Sequence, residues 1–330
     1  KEAAKIISSY LDKDKLWNGR WYYAIDPAGT DTGRSVSKAS AFWCGNSIQT
    51  IPRGDSIKSF LCADPGWLLA EPDKAQSEAR CVGYLAGESS LIELVEGPHD
   101  YHSWNAQAFF GIPYEHIYDD VRKKTLDKIL RDLSKRTNHG ANYNMGAGVM
   151  LATMGPKAVA KAKAVLKLPA KMKLIDVCAY LLDAYAKTYP NVKGLMYDQI
   201  IATIELTSKL VSPLGWTRYF FDKPSRRNKP ALNAAVAHGP QNLSVSVVNK
   251  EWYAIWRETV YGKLRLRVRV KAQIHDSILF QYRVGDTEAP EEVRALMQTA
   301  VQVTGADKVT RTLRIPTDMK CGAVQWSNLE

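Results

Sequence analysis

Cysteine is scarce in this chain: Cys44, Cys62, Cys81, Cys178 and Cys321 are odd in number and widely spaced, and no two form a C-x-x-C pair. That pattern excludes a disulfide framework and a cysteine zinc site, and it fits a reducing compartment. Long apolar runs are missing too. No stretch reaches the ~18 apolar residues of a membrane-spanning helix, and no basic amphipathic helix carries a clean apolar face. Internal repeats and low-complexity tracts are absent, which sets aside solenoids and biased tails. Acidic residues are in deficit, 34 against 45 Lys and Arg, for a formal net charge of +11. Such an excess favours a polyanionic partner over a membrane, because each cation set on a phosphate releases a condensed counterion. The rest is ordinary globular composition, 45% hydrophobic and 24% charged over 330 residues, long enough for two cores.

Along the chain, residues 1–20 read as helical up to a turn at Asn18-Gly19, and Trp21 to Ile25 as a short aromatic strand. Residues 21–90 mix short apolar runs with Gly and Pro turns. LIELVEG and HSWNAQAFFG then open a mainly helical block that continues to about residue 210. DKPSRRNKP (222–230) brackets Arg226-Arg227 with prolines and reads as an exposed loop, equally open to nucleic-acid contact and to plain solvation. In GKLRLRVRVKAQIHD (262–276), Lys263, Arg265, Arg267, Arg269 and Lys271 alternate with aliphatic residues. A strand of period two would place all five cations on one face, with Gln273 and His275 continuing it, and would suit a duplex backbone; an edge strand kept soluble by cations is the plainer reading.

Residues 131–143, RDLSKRTNHGANY, carry the most specific pattern. Arg131, Lys135, His139 and Tyr143 recur every four positions and share one helical face as a slanting stripe of two cations, an imidazole and a phenol. A phosphate chain at one end and a base at the other would suit that stripe, although most Arg/Lys pairs at this spacing are solvated helix faces.

The pattern R-x-x-x-K-x-x-x-(aromatic)-G-x-x-Y resembles motif B of the family A DNA polymerases. LLAEPDKAQSEAR (68–80) is similar to motif A of that family at Asp73, Gln76, Glu78 and Arg80, and AQIHDSILF (272–280) to motif C at His275 and Asp276. PAGTDTGR (27–34) and NSIQTIP (46–52) resemble the T-x-TGR and N-L-Q-N-I-P segments that precede motif A, and RIPTDMKCGAVQW (314–326) the C-terminal strand. Order and extent together carry the resemblance, and departures at His139, Asn144 and Ser277 point to a phage-type or otherwise divergent member.

The resemblance implies an α+β fold of right-hand polymerase architecture: an antiparallel palm sheet, a large helical fingers insertion, and a thumb largely absent from this chain. The expected divisions are an N-terminal helical junction, a thumb remnant, at 1–20; palm with motif A at 21–90; fingers with motif B at 91–232; and palm with motif C at 233–330. It implies template-directed addition of dNTPs to a primer 3′ end, with Asp73 and Asp276 holding two Mg²⁺ ions. Both Asp follow apolar, strand-like segments but lie far apart in sequence, so only the fold can bring them together; an isolated Asp is ordinarily a capping or surface residue. Arg131 and Lys135 would hold the triphosphate, and Gln76, Glu78, His139 and Tyr143 the incoming nucleotide, with Glu78 excluding a ribose 2′-hydroxyl. Arg34, Arg80, Gln241 and His275 would contact DNA, although His238-Gly239 offers Gln241 a competing register. Primer-template DNA and dNTPs are the expected partners, for a cytoplasmic monomer without membrane contact; any processivity factor is left open. Because the chain opens at Lys1 without initiator Met or signal peptide, it is expected to be a fragment or processed product, of low processivity and without proofreading.

Three positions depart from the family pattern: His139 stands where Phe or Tyr is usual, Asn144 where Gly is usual, and Ser277 where Glu is usual. His-Asp-Ser resembles instead the single-subunit phage RNA polymerases, which makes an RNA polymerase-like nucleotidyltransferase the alternative. A catalytically dead DNA-binding scaffold is a third, opposed by joint retention of Asp73, Asp276, Arg131 and Lys135.

Overall fold

The computed structural model describes residues 10, 16–27, 29–39, 45–52 and 54–329. They fall into two compact units: a sheet unit of residues up to Ser77, Gln241–Val301 and Arg314 onward, and a helical unit of Glu78–Pro240 and Gln302–Leu313. Among the described residues, no helix is long and apolar enough to cross a membrane.

The sheet unit is built on four antiparallel strands in the order Val268–Ile274, Ser277–Arg283, Trp67–Lys74, Thr317–Ala323. The first six residues of Ser277–Arg283 are all buried, which follows from apolar cover on both faces of the sheet. On one face, Ala70, Ile278, Phe280 and Tyr282 pack with Ile255 of the long helix Lys229–Tyr261 and with Ala289 and Val293 of a short helix. On the other, Leu69, Ala272 and Leu279 pack with Ile48, Trp326 and Leu329. Period-two alternation along Trp67–Lys74 therefore sets Leu69, Glu71 and Asp73 on the second face and Ala70 and Lys74 on the helix-covered face.

Two expectations change here. Residues 1–9 and 11–15 lie outside the described residues, but Leu16–Trp17 and Arg20–Trp21 are strands, not helix, joined through Asn18 (φ 52°) and Gly19 (φ 69°). Two consecutive positive φ values make the primed hairpin turn that an Asn-Gly pair favours. The basic strand is also shorter than its alternation implies. Leu266 turns to φ 64° and is 71% exposed, Leu264 is 1% exposed, and only Val268–Ile274 is strand, with a register shift between Val270 and Ala272. Three of its five cations also meet carboxylates of this chain. Arg267 forks onto Asp286 (2.7 and 2.8 Å) and reaches Glu292 (2.9 Å), while Arg269 and Lys271 lie 3.6 and 3.3 Å from Asp64.

The helical unit has one large core, including Val82, Leu91, Phe109, Leu133, Leu181 and Tyr185. Its central helix, Lys128–Asn142, starts at Asp127, whose side chain accepts from the Ile129 and Leu130 amides, a standard N-cap. At its other end, Asn144 takes the left-handed conformation (φ 58°), and the Met145 amide returns to the Gly140 carbonyl at 2.9 Å. Asn is the residue after Gly best suited to that position, so the departure at 144 leaves the helix end intact. The Tyr197 hydroxyl donates to the carbonyls of Ala141 and Asn142 (3.3 and 3.1 Å), bracing the last turn of the helix.

Candidate active site

In the sheet unit, Asp73 lies at the end of Trp67–Lys74, where the ladder sets it opposite Ser277 on one side and Asp318 on the other. Ile274 pairs with Ser277, so His275 and Asp276 form a two-residue hairpin tip, with His275 at φ 57° and exposed. The Asp73 carboxyl is pushed up to about 6, first by partial burial and then by repulsion from Asp276, Glu71 and Asp318. Burial leads, and the three neighbouring carboxylates add to it. Asp318 and Glu71 were not singled out in the sequence. Parity with Asp73 along an apolar strand would have found Glu71, whereas Asp318 depends on a pairing that only the fold reveals.

Ser277 donates to Glu71 Oε1 (2.8 Å), and Trp326 Nε1 donates to Glu71 Oε2 (2.7 Å). The departure at 277 thus ties two central strands together. Behind the site, Lys74 is buried and donates to Glu251 Oε1 (2.9 Å) and to the carbonyls of Met297 (2.6 Å) and Ile315 (3.1 Å). Burial lowers the Lys74 pKa and raises that of Glu251.

Among the described residues, no three His, Cys, Asp or Glu converge tightly enough to hold a metal by themselves. The donors do fit a hard divalent cation. Asp73 and Asp276 would offer oxygen ligands beside Glu71 and Asp318, and Mg²⁺ usually takes one or two carboxylates and fills its other positions with water and phosphate oxygens.

The segments preceding motif A converge on the same sheet. The Arg34 amide donates to Thr30 Oγ1 (2.9 Å) within the TGR turn, and Asn242 Nδ2 donates to Thr32 O (2.9 Å), beside Gln241 on the long helix. Gln49 Nε2 bridges Ser35 Oγ (3.1 Å) and Gln273 O (3.3 Å), linking that turn to the motif C strand. Gln76 sits at φ 53° with a buried side-chain oxygen that meets no hydrogen-bond donor among the described residues.

In the helical unit, the four-residue stripe keeps its order. Arg131 clasps Asp100 with two bonds, Nε to Oδ1 at 2.9 Å and Nη2 to Oδ2 at 2.7 Å. Lys135 and His139 are exposed; His139 Nδ1 lies 3.2 Å from Glu78 Oε2, and its ring meets Tyr143 edge-on at 5.2 Å. Half-buried His102 belongs to the same group. Its pKa is pulled down to about 3 by burial and by Arg131, Lys135 and His139, against the pull of Asp100. Asp100 and His102 were passed over in the sequence because their run, HDYHS, starts a different helix; the signal lay in an N-cap Asp followed at once by a second polar pair. Arg80 is 6% exposed, 2.6 Å from Glu96 and bonded to the Val95 carbonyl. It braces neighbouring helices.

The model of DNA polymerase family A matches residues 1–328. The chain is 30% identical over 309 residues to the thermostable DNA polymerase I of Thermus aquaticus, covering 88% of this chain and 31% of that protein. It is 25% identical over 325 residues to a thermostable DNA polymerase I of Thermus thermophilus, covering 92% and 33%. The chain therefore spans about a third of the length of these relatives. In fold it is similar to the POL domain of Pol1 from M. smegmatis, solved in complex with DNA primer-template and dNTP, with a TM-score of 0.77 at 19% identity, covering 99% of this chain and 52% of that one. The fold is the right-hand polymerase architecture, an antiparallel sheet with a large helical insertion.

Proposed function

The chain belongs to DNA polymerase family A, and from that premise we propose that it carries out template-directed addition of dNTPs to a primer 3′ end. The sheet unit is then the palm and the helical unit the fingers, acting in the cytoplasm on primer-template DNA as a monomer. The observation that carries the reading is the meeting of Asp73 and Asp276, each in its family motif, at neighbouring strand ends where carboxylates repel one another.

Asp73 and Asp276 would hold two Mg²⁺ ions. When bound, such ions make the primer 3′-hydroxyl a better nucleophile and neutralise the triphosphate. Arg131 and Lys135 bind the triphosphate and stabilise charge gathering on the leaving pyrophosphate, a type of interaction that is often the largest catalytic contribution. Asp100 fixes the plane of the Arg131 guanidinium, and His102, neutral near pH 7, offers the same face a hydrogen bond without added charge. Glu78 excludes a ribose 2′-hydroxyl, held by His139 where the family usually has an aromatic ring. Tyr143 lies toward the base, Gln76 contributes to the nucleotide pocket, and Arg34, Gln241 and His275 contact the primer-template.

Ser277 favours an RNA polymerase-like alternative, but its bonds to Glu71 and Ile274 account for the serine structurally. Extension of a labelled primer on a DNA template with Mg²⁺ separates the readings. We expect dNTPs to be used in preference to rNTPs; rNTP preference would favour the alternative, and no extension with either would favour a dead scaffold.

A further inference from the structure

The roles given to Asp73 and Asp276 leave Glu71 without a part, although it is the one charged residue in the run Trp67 to Pro72. Glu71 precedes Asp73 by two residues on Trp67–Lys74 and shares its face. Ser277 looks to the same side, because it is the ladder partner of Asp73. A Glu at 277, the residue usual in the family, would therefore bring its carboxylate in beside Asp73 and Glu71. This chain has Ser at 277 and an acid on the adjacent strand, and the two side chains touch: Ser277 Oγ donates to Glu71 Oε1 at 2.8 Å.

The bonds that hold Glu71 do not call for a charge. Both oxygens are held by neutral donors, Ser277 Oγ and Trp326 Nε1, and Lys320, opposite Glu71 across the other ladder, is exposed. A Gln could keep both contacts, its carbonyl accepting from Trp326 and its amide donating to Ser277, whose hydroxyl already has the Ile274 carbonyl as an acceptor at 3.1 Å. The carboxylate instead opposes its neighbours. It adds to the burial and the Asp276 charge that push the Asp73 carboxyl up to about 6. Two residues along a strand span ~6.7 Å, inside the ~8–10 Å over which salt screens a charge, so the Glu71 charge is felt at Asp73. A charge that its own bonds do not require, set against like charges, becomes favourable when a cation joins the group. Each Glu71 oxygen also has a second lone pair beyond the bond it accepts, and Mg²⁺ held by one or two carboxylates keeps several waters able to donate to it.

We propose that Glu71 is a positioning residue of the metal site, standing in from the adjacent strand for the acid usual at 277: it adds its charge to those of Asp73 and Asp276 and accepts from the waters that a divalent cation keeps. This role rests on the reading of Asp73 and Asp276 as metal ligands.

The test is Mn²⁺ binding to the whole chain, read from loss of the free-ion electron paramagnetic resonance signal, alongside the Mg²⁺ dependence of single-nucleotide incorporation. Glu71→Gln should bind Mn²⁺ roughly tenfold more weakly, the lower end for a residue that supports metal ligands, while its thermal unfolding stays close to that of wild type. The Mg²⁺ concentration for half-maximal incorporation should rise by a similar factor, with affinity for primer-template unchanged. Glu71→Gln/Ser277→Glu, which puts the acid back on the motif C strand, should restore both. The proposal is overturned if wild type binds no Mn²⁺, if Glu71→Gln binds it as wild type does, or if the double variant is folded and stays as weak as Glu71→Gln; should the double variant melt early, Glu71→Gln alone decides. A chain that binds Mn²⁺ in the predicted order but extends no primer would sink the polymerase reading and keep this one. A chain that extends primers while wild type and Glu71→Gln bind Mn²⁺ alike would do the reverse.

Discussion

Asp100 shows how much one carboxylate can organise. It caps the helix Tyr101–Phe110 through the Ser103 amide and holds Arg131 in a two-bond fork. Burial works against its ionisation, but the bonds from Arg131 and Ser103 outweigh it and lower its pKa. The sign follows: with the folded pKa depressed, the contribution is fully present above the unfolded value and is lost as pH falls through the folded one. Asp100→Asn should therefore destabilise the protein at pH 7 by ~1.5–3 kcal/mol, the range for hydrogen bonds to charged groups, and the difference should shrink below about pH 4. Urea unfolding at the two pH values checks this; a loss independent of pH would contradict it. His139 offers a second test. If its contact with Glu78 holds the sugar gate in place, His139→Ala should reduce discrimination against rNTPs by roughly fivefold, about 1 kcal/mol of lost contact. An unchanged dNTP-to-rNTP ratio in single-nucleotide incorporation would remove His139 from that role.

At the scale of elements, periodicity was readable where local rules decide and unreadable where partners decide. The helix from Lys128 was legible from its four-residue recurrence, whereas His275, expected to continue a strand face, lies in the two-residue turn that follows Ile274. The basic run at 262–271 was over-read, because alternation cannot register that Leu266 adopts a positive φ or that Arg267 is held by Asp286 and Glu292 while Arg269 and Lys271 share Asp64. Asn144 gives this scale its own measurement. Asn144→Ala should cost ~1–2 kcal/mol for a side chain forced into the left-handed region, whereas Asn144→Gly should stay close to wild type in thermal unfolding. Equal stability of all three would show that the helix end does not depend on that conformation. Lys74 and Glu251 join a sheet strand to the long helix as a buried pair. Lys74→Met alone, which strands a buried carboxylate, should cost ~3–5 kcal/mol, and Lys74→Met/Glu251→Leu should recover most of it. Denaturant midpoints decide; a single variant within ~0.5 kcal/mol of wild type, the usual range of a harmless surface change, would show that the pair is not holding the strand.

For the whole molecule, family and fold class were legible because several motifs occur in order along the chain, and chance matches rarely keep order. The carboxylate cluster was legible only by half: Asp73 and Asp276 stood in their motifs, but Glu71 and Asp318 join them through strand pairing that no spacing in the chain encodes. Likewise, a net charge of +11 indicated a polyanionic partner without showing where it binds, since some of the cations, Arg267 and Lys161 among them, are paired with carboxylates of this chain. The central claim is that Asp73 and Asp276 together carry nucleotidyl transfer. The most direct measurement is single-turnover incorporation of one dNTP into a primer-template with Mg²⁺, for wild type and Asp276→Ala, with duplex binding followed in parallel. The account predicts incorporation by wild type and a loss of at least about a thousandfold in the variant, some 4 kcal/mol of barrier, with DNA still bound. Incorporation by Asp276→Ala at a rate near that of wild type would contradict it.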